Sequence, residues 1–154
     1  MQIQKLIKKA FEDMIKQNML SYEIKKDKKG SYFSIEIMPK NISAFEKQRI
    51  EIEIYHKYLV LNIGGWKYYE KTDTEEEIEQ LQSLQILQKF FNKEMKIKIY
   101  YRNTHPYFWK AYLFKKYFWE FYKQNSAFFR RFFSFKKPVL NEISIEIFLN
   151  LNKG

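Results

Sequence analysis

The sequence predicts an α+β fold in one domain spanning residues 1–154: a mostly antiparallel sheet of about six strands, an N-terminal amphipathic helix, a central helix and an aromatic-rich C-terminal helical segment. Three observations carry this expectation. Apolar residues recur at helical spacing over residues 2–19, the period drops to two from Ser21 to Ile63, and a marked helix start follows at Thr74.

In the first stretch Ile3, Leu6, Ile7, Ala10, Phe11, Met14 and Ile15 fall on one helical face, with Lys5, Lys8, Lys9, Glu12, Asp13 and Lys16 on the other. Tyr22 and Ile24 then alternate with charged residues. Asp27-Lys28-Lys29-Gly30 reads as a turn, and Phe33, Ile35 and Ile37 complete a hairpin that Pro39 ends. After a loop at 40–45, Ile50, Ile52 and Ile54 alternate with Arg49, Glu51 and Glu53, as in a strand with one wet face. A turn at His56-Lys57 leads into the more continuously apolar Tyr58 to Ile63, and Gly64-Gly65 closes a four-stranded meander.

Thr74 with Glu77 has the form of a capping box, so a helix is expected from about Glu75 to Asn92, burying Ile78, Leu81, Leu84, Leu87 and Phe91. Met95, Ile97, Ile99 and Tyr101 alternate with Lys96, Lys98 and Tyr100, a fifth strand with a basic outer face. Asn103-Thr104-His105-Pro106 resembles an N-cap followed by a first-turn proline, which predicts a helix to about Gln124 and a shorter one through Phe135. A β reading of Tyr112 to Phe121 stays open, because Tyr, Phe and Trp are good strand formers. Ile143, Ile145, Ile147 and Leu149 predict a last strand that pairs back into the sheet.

The chain has no cysteine, which excludes disulfides, thiolate metal sites and a cysteine nucleophile, so the fold rests on packing. The first residues lack the apolar run of a signal peptide and no stretch is long enough to span a bilayer; a cytoplasmic protein is expected. The net charge of +10 points to an anionic partner, although 24 Lys against 4 Arg is also what an AT-rich genome produces. Both histidines, His56 and His105, lie outside metal-ligand spacings. Glu36, Glu51, Glu53, Glu142 and Glu146 fall at outward strand positions, where two on adjacent strands could form an acid/base pair, but Glu alternating with Ile is how any half-buried strand is written. There is no nucleotide-binding glycine motif and no nucleophile elbow. A non-enzyme without metal or cofactor is expected.

Residues 107–137 hold 15 of the 30 aromatic residues and eight Lys/Arg against one acid, Glu120. The stretch admits three readings: rings that stack on single-stranded bases while cations hold phosphates, a segment lying in a membrane interface, or a core helix covering an Ile-rich sheet. In a mixed case the rings face inward while Lys115, Lys116, Lys123, Arg130 and Arg131 face an acidic protein. Aromatic residues and Arg dominate interface hot spots, so Trp66, Trp109, Trp119, Arg130 and Arg131 are candidate partner-binding residues, together with the Lys96 and Lys98 face.

The segments RIEIEIYHKYLVLNIGG, TEEEIEQLQSLQILQKFF and MKIKIYY, within Arg49 to Tyr101, resemble the pattern of small immunity proteins of polymorphic and contact-dependent bacterial toxin systems. The resemblance implies a binding protein that occludes the active site of one cognate toxin through an exposed polar interface. Many immunity proteins against nucleases are acidic, whereas this chain is basic, so its toxin would be acidic where it binds. The alternative is a domain that binds RNA or single-stranded DNA.

Overall fold

The computed structural model describes residues 2–37, 49–72, 75–102, 105–126 and 139–143. Helix α1 (Gln2–Gln17) is followed by β1 (Glu23–Lys26), β2 (Phe33–Ile37), β3 (Ile50–Ile54), β4 (Tyr58–Ile63) and β5 (Trp66–Lys71). A 3₁₀ turn (Glu75–Gln80) and α2 (Gln82–Phe91) lead to β6 (Met95–Arg102), β7 (His105–Lys115), β8 (Phe118–Ser126) and β9 (Val139–Ile143). The α+β class holds, but there are two antiparallel sheets: a five-stranded meander in the order β1-β2-β3-β4-β5 and a four-stranded sheet in the order β8-β7-β6-β9.

Strand parity explains the core. Pairing of Ile35 with Ile52 and of Ile52 with Leu61 puts Phe33, Ile35, Ile37, Ile50, Ile52, Ile54, Leu59, Leu61 and Ile63 on one face of the first sheet. Helix α1 packs its Ile7, Phe11 and Ile15 against that face, and all three are fully buried. Each such side chain contributes roughly 1.5–3 kcal/mol through burial. Helix α2 touches both β5 and β6, so Leu87 and Phe90 join the Ile-rich face to Met95, Ile97, Ile99 and Ala111 of the second sheet in one cluster.

The first sheet's other face is polar and largely ion-paired. The nearly buried Glu36 carboxylate lies between Lys25 Nζ (3.2 Å) and an Arg49 guanidinium nitrogen (3.1 Å). Arg49 also reaches Glu51 at 3.7 Å, which accepts a hydrogen bond from Ser34 Oγ. The carboxylates considered for acid/base chemistry are thus brought together at Glu36 and Glu51, cross-strand partners that share one arginine. Because Lys25 and Arg49 are both largely exposed and each can stand in for the other at Glu36, removing either cation costs far less than breaking a fully buried pair.

Three expectations are corrected. The aromatic segment from His105 to Ser126 is a β-hairpin and not a helix: its many Tyr, Phe and Trp side chains favour the pleated backbone, and Pro106 sits at the strand start beside a bulge at Tyr100/Tyr101, where no ladder N–H is needed. The meander has a fifth strand, because Gly64 and Gly65 form the two-residue loop of a further hairpin, both with positive φ. The central helix is broken at Leu81, which is extended (φ −55°, ψ 125°), leaving a 3₁₀ turn and a ten-residue α2. The cause is Glu70 of β5: its two carboxylate oxygens accept the free N–H groups of Gln82 (2.7 Å) and Ser83 (2.8 Å), so the α-helical turn begins there. Thr74 of the expected capping box, the helix expected to resume through Phe135, and residues 144–149 of the expected last strand lie outside the described residues. Strand β9, just before that position, does pair back onto β6.

Glu70→Ala should therefore lower stability by about 1 kcal/mol, as loss of a helix cap does. Glu70→Gln, which keeps one acceptor, should lose less. Urea unfolding of the two variants checks the order.

Candidate functional site

The two faces of the second sheet differ as sharply as those of the first. On β6, Met95, Ile97 and Ile99 are buried, while Lys96, Lys98 and Tyr100 point the other way. Register places Tyr112 opposite Lys96, Lys110 opposite Lys98, and Phe108 opposite Tyr100. The next pairs put Phe121 beside Tyr112 and Trp119 beside Phe114 on the same outer face. The result is a surface on which lysines alternate with rings.

The contacts within it are specific. Lys96 Nζ lies 4.4 Å above the Trp119 ring and Lys98 Nζ 5.2 Å above Tyr112; Lys110 Nζ is 5.6 Å from the Tyr100 centroid and 5.5 Å from that of Phe108. These distances are within the roughly 6 Å over which a ring face attracts a cation. The rings meet each other obliquely: Tyr112 and Phe121 edge to face at 74°, Tyr100 and Phe108 at 55°, Phe114 and Trp119 at 54°. Lys98 and Lys110 are direct cross-strand neighbours, an arrangement that by itself destabilises a sheet. Glu142 of β9 occupies the register position on the other side of Lys98.

The sequence-predicted residues separate into distinct places. Lys96, Lys98 and Trp119 belong to this face. Lys115 and Lys116 are exposed at the β7–β8 turn, Lys115 pairing with Glu120 at 3.0 Å. Lys123 is elsewhere, 4.6 Å above Tyr68 at the seam between the sheets. Trp66 is fully buried and serves as core, not as a partner surface; its Nε1 has no hydrogen-bond partner among the described residues. Arg130 and Arg131 lie outside the described residues.

Trp109 also proves to be an anchor and not a surface ring. From β7 its indole packs on the β4–β5 turn and Nε1 donates to the Gly64 carbonyl at 3.1 Å. A Cβ at Gly65 would stand 2.7 Å from that same nitrogen, so glycine is needed here for the close approach as well as for its φ of +100°. Around this contact Asn62 Oδ1 accepts the Gly65 N–H (2.8 Å), and Asn125 Nδ2 donates to the Lys67 carbonyl (2.9 Å). Tyr122 packs near Trp66, with ring centroids 6.3 Å apart. Burial is the main cause that raises the Tyr68 phenol above its ordinary range, with Tyr122 and Glu70 adding to it. Burial also raises Tyr122, partly offset by its hydrogen bond with Tyr68.

Sequence reasoning missed Tyr100, Phe108, Lys110 and Tyr112. The signal was present: Phe108, Lys110, Tyr112 and Phe114 recur at every second position, the strand period. Among the described residues no group of three His, Cys, Asp or Glu side chains could hold a metal ion, and His56 is an exposed turn residue. An open cleft of about 490 Å³ between Lys57, Tyr58, Tyr69, Glu70 and Lys71 contains one carboxylate, and that one is committed to α2. Among the described residues no helix is long and apolar enough to cross a membrane.

Fold and site together define an α+β protein with a lysine-and-ring sheet face. No family model, curated protein or solved structure matches the chain.

The Gly65–Trp109 contact is testable as a pair. Gly65→Ala should cost at least about 2 kcal/mol, from backbone strain and the clash with the indole. In a Trp109→Phe background the clash is relieved and only strain remains, so a double-mutant cycle by chemical denaturation should show coupling of about 1 kcal/mol or more.

Proposed function

We propose that this chain is a cytoplasmic, non-enzymatic binding protein of the toxin-neutralising kind, and that it docks an acidic protein domain on the outer face of the second sheet. The observation that carries this reading is the cross-strand juxtaposition of Lys98 and Lys110, each set over an aromatic ring. Like charges placed side by side weaken the free protein, and an anionic partner relieves that cost on binding. The rings supply the large, stiff contact area typical of interface hot spots.

A single-stranded nucleic acid is the second reading, favoured by the clustering of Tyr100, Phe108 and Tyr112 on one sheet face beside lysines. Two features favour the protein partner. The rings are tilted against each other and carry lysines on their faces, which leaves less flat surface for a base to stack on. Lys96, Lys98 and Lys110 supply the ammonium groups at the centre of this face, whereas phosphate and base recognition draws on the planar fork of arginine, which β6 carries only at its end, at Arg102.

Co-expression with the product of the adjacent gene tests the proposal. A complex at micromolar concentration is expected, and Lys98→Glu with Lys110→Glu should weaken it by about 2 kcal/mol or more, roughly 30-fold, without unfolding the protein. Failure to form any complex removes the reading. Salt-sensitive retention of a labelled oligonucleotide, lost in the same variant, would replace it with the second.

A further inference from the structure

The end of the β7–β8 hairpin stands apart from the flat part of the sheet. Strand β6 begins at Met95, opposite Leu113, whereas β7 and β8 stay paired as far as Lys115 and Phe118. The last backbone link toward β6 is the Phe114 N–H donating to the Glu94 carbonyl at 2.8 Å. Beyond it the Lys115–Phe118 pair and the turn that joins them stand clear of β6.

This end of the hairpin exposes large rings that fill no core. Phe114 is 42 % exposed, Tyr117 94 %, Phe118 60 %, Trp119 37 % and Phe121 50 %. Pairing puts Phe114 and Trp119 on one face and Phe118 with Lys115 on the opposite one, while Tyr117 sits in the turn. The rings therefore surround the tip. Lys116, at the first loop position, holds a left-handed backbone (φ 55°) usually left to glycine, so a cation stands where the turn would prefer no side chain.

A flat protein surface or a row of bases can meet only one face of a ribbon. A lipid interface receives all sides at once: Phe enters the acyl boundary, Trp and Tyr rest at headgroup depth, and Lys stems run up to phosphate level. We infer that the β7–β8 tip is an insertion element for an anionic membrane surface, with Tyr117, Phe118 and Trp119 entering the interface and Lys115 and Lys116 forming a collar on the anionic headgroups. A net positive charge, Lys115 and Lys116 against the single acid Glu120 that pairs with Lys115 at 3.0 Å, and rings on both faces select this occupant. The inference rests on the tip and not on the Lys98–Lys110 pair, and it shares only Trp119 with the face proposed above to meet the partner.

The full-length protein is mixed with vesicles of phosphatidylcholine alone and of phosphatidylcholine with phosphatidylglycerol, and flotation is scored with tryptophan emission. Flotation is expected with the anionic vesicles, with a blue shift and quenching by lipids brominated on the acyl chains. Trp119→Phe should remove the spectral change and keep flotation, since Trp66 and Trp109 lie in the core and at the sheet seam. Tyr117→Ser with Phe118→Ser should lower vesicle affinity at least about tenfold while the unfolding midpoint stays at the wild-type value, both side chains being mostly exposed. Flotation without quenching, or unchanged affinity in the double variant, would overturn the inference. So would concentration-dependent self-association that the double variant abolishes in a protein that ignores vesicles; the tip would then be a contact with a second copy.

Discussion

The arrangement of the second sheet depends on one close contact, the Trp109 indole seated on the Gly64–Gly65 turn. Two requirements meet there. The β4–β5 connection is only two residues long and needs positive φ at both, which glycine adopts without strain. The missing Cβ at Gly65 is also what lets an indole approach to hydrogen-bond distance of the turn carbonyl. The contact gives the indole N–H a partner and ties a strand of the second sheet to a loop of the first, across 45 residues of chain. Closing so long a loop is entropically unfavourable, and the contact is supported by Asn125 on the β5 carbonyl and by the Tyr122 ring near Trp66.

Fixing β7 in this way determines which side chains face water. With Trp109 and Ala111 turned toward the core side, parity sends Phe108, Lys110 and Tyr112 outward, to join Lys96, Lys98 and Tyr100 of β6. The two sheets then handle charge differently. On the first sheet Glu36, Lys25, Arg49 and Glu51 neutralise one another and Glu36 is nearly buried. On the second, Lys98 and Lys110 set their ammonium groups over ring faces, which attract a cation without cancelling its charge, while Lys115 pairs with Glu120. A self-neutralised face has little left to offer a charged partner, and this is why the functional reading falls on the second sheet.

Much of the first half of the fold was legible. The period of 3.6 over Ile3 to Ile15 and the period of two from Phe33 to Ile63 are strong because one face of each element is buried and the other wet. Where that contrast fades, legibility fades with it. In β7 nearly every position is aromatic or apolar and the lysines are few, so the alternation is masked and the Asn-Thr-His-Pro prelude reads as a helix start. Strand β5 was hidden because its Tyr68 and Tyr69 suit either face, and the break at Leu81 because its cause, Glu70, comes from a different strand. The site was half visible: Lys96 and Lys98 were found from local alternation, whereas the roles of Trp66 and Trp109 depend on contacts between elements that no local pattern encodes.

The most direct test of the Trp109–Gly64 contact is hydrogen exchange of the three tryptophan indole N–H groups, resolved by nuclear magnetic resonance and assigned with single Trp→Phe variants. The Trp109 indole should exchange at least about tenfold more slowly than that of Trp119, because the first is bonded to the Gly64 carbonyl and the second stands on the exposed face. Equal, solvent-limited exchange at Trp109 and Trp119 would contradict it, since the contact that orients the second sheet would then be absent in solution.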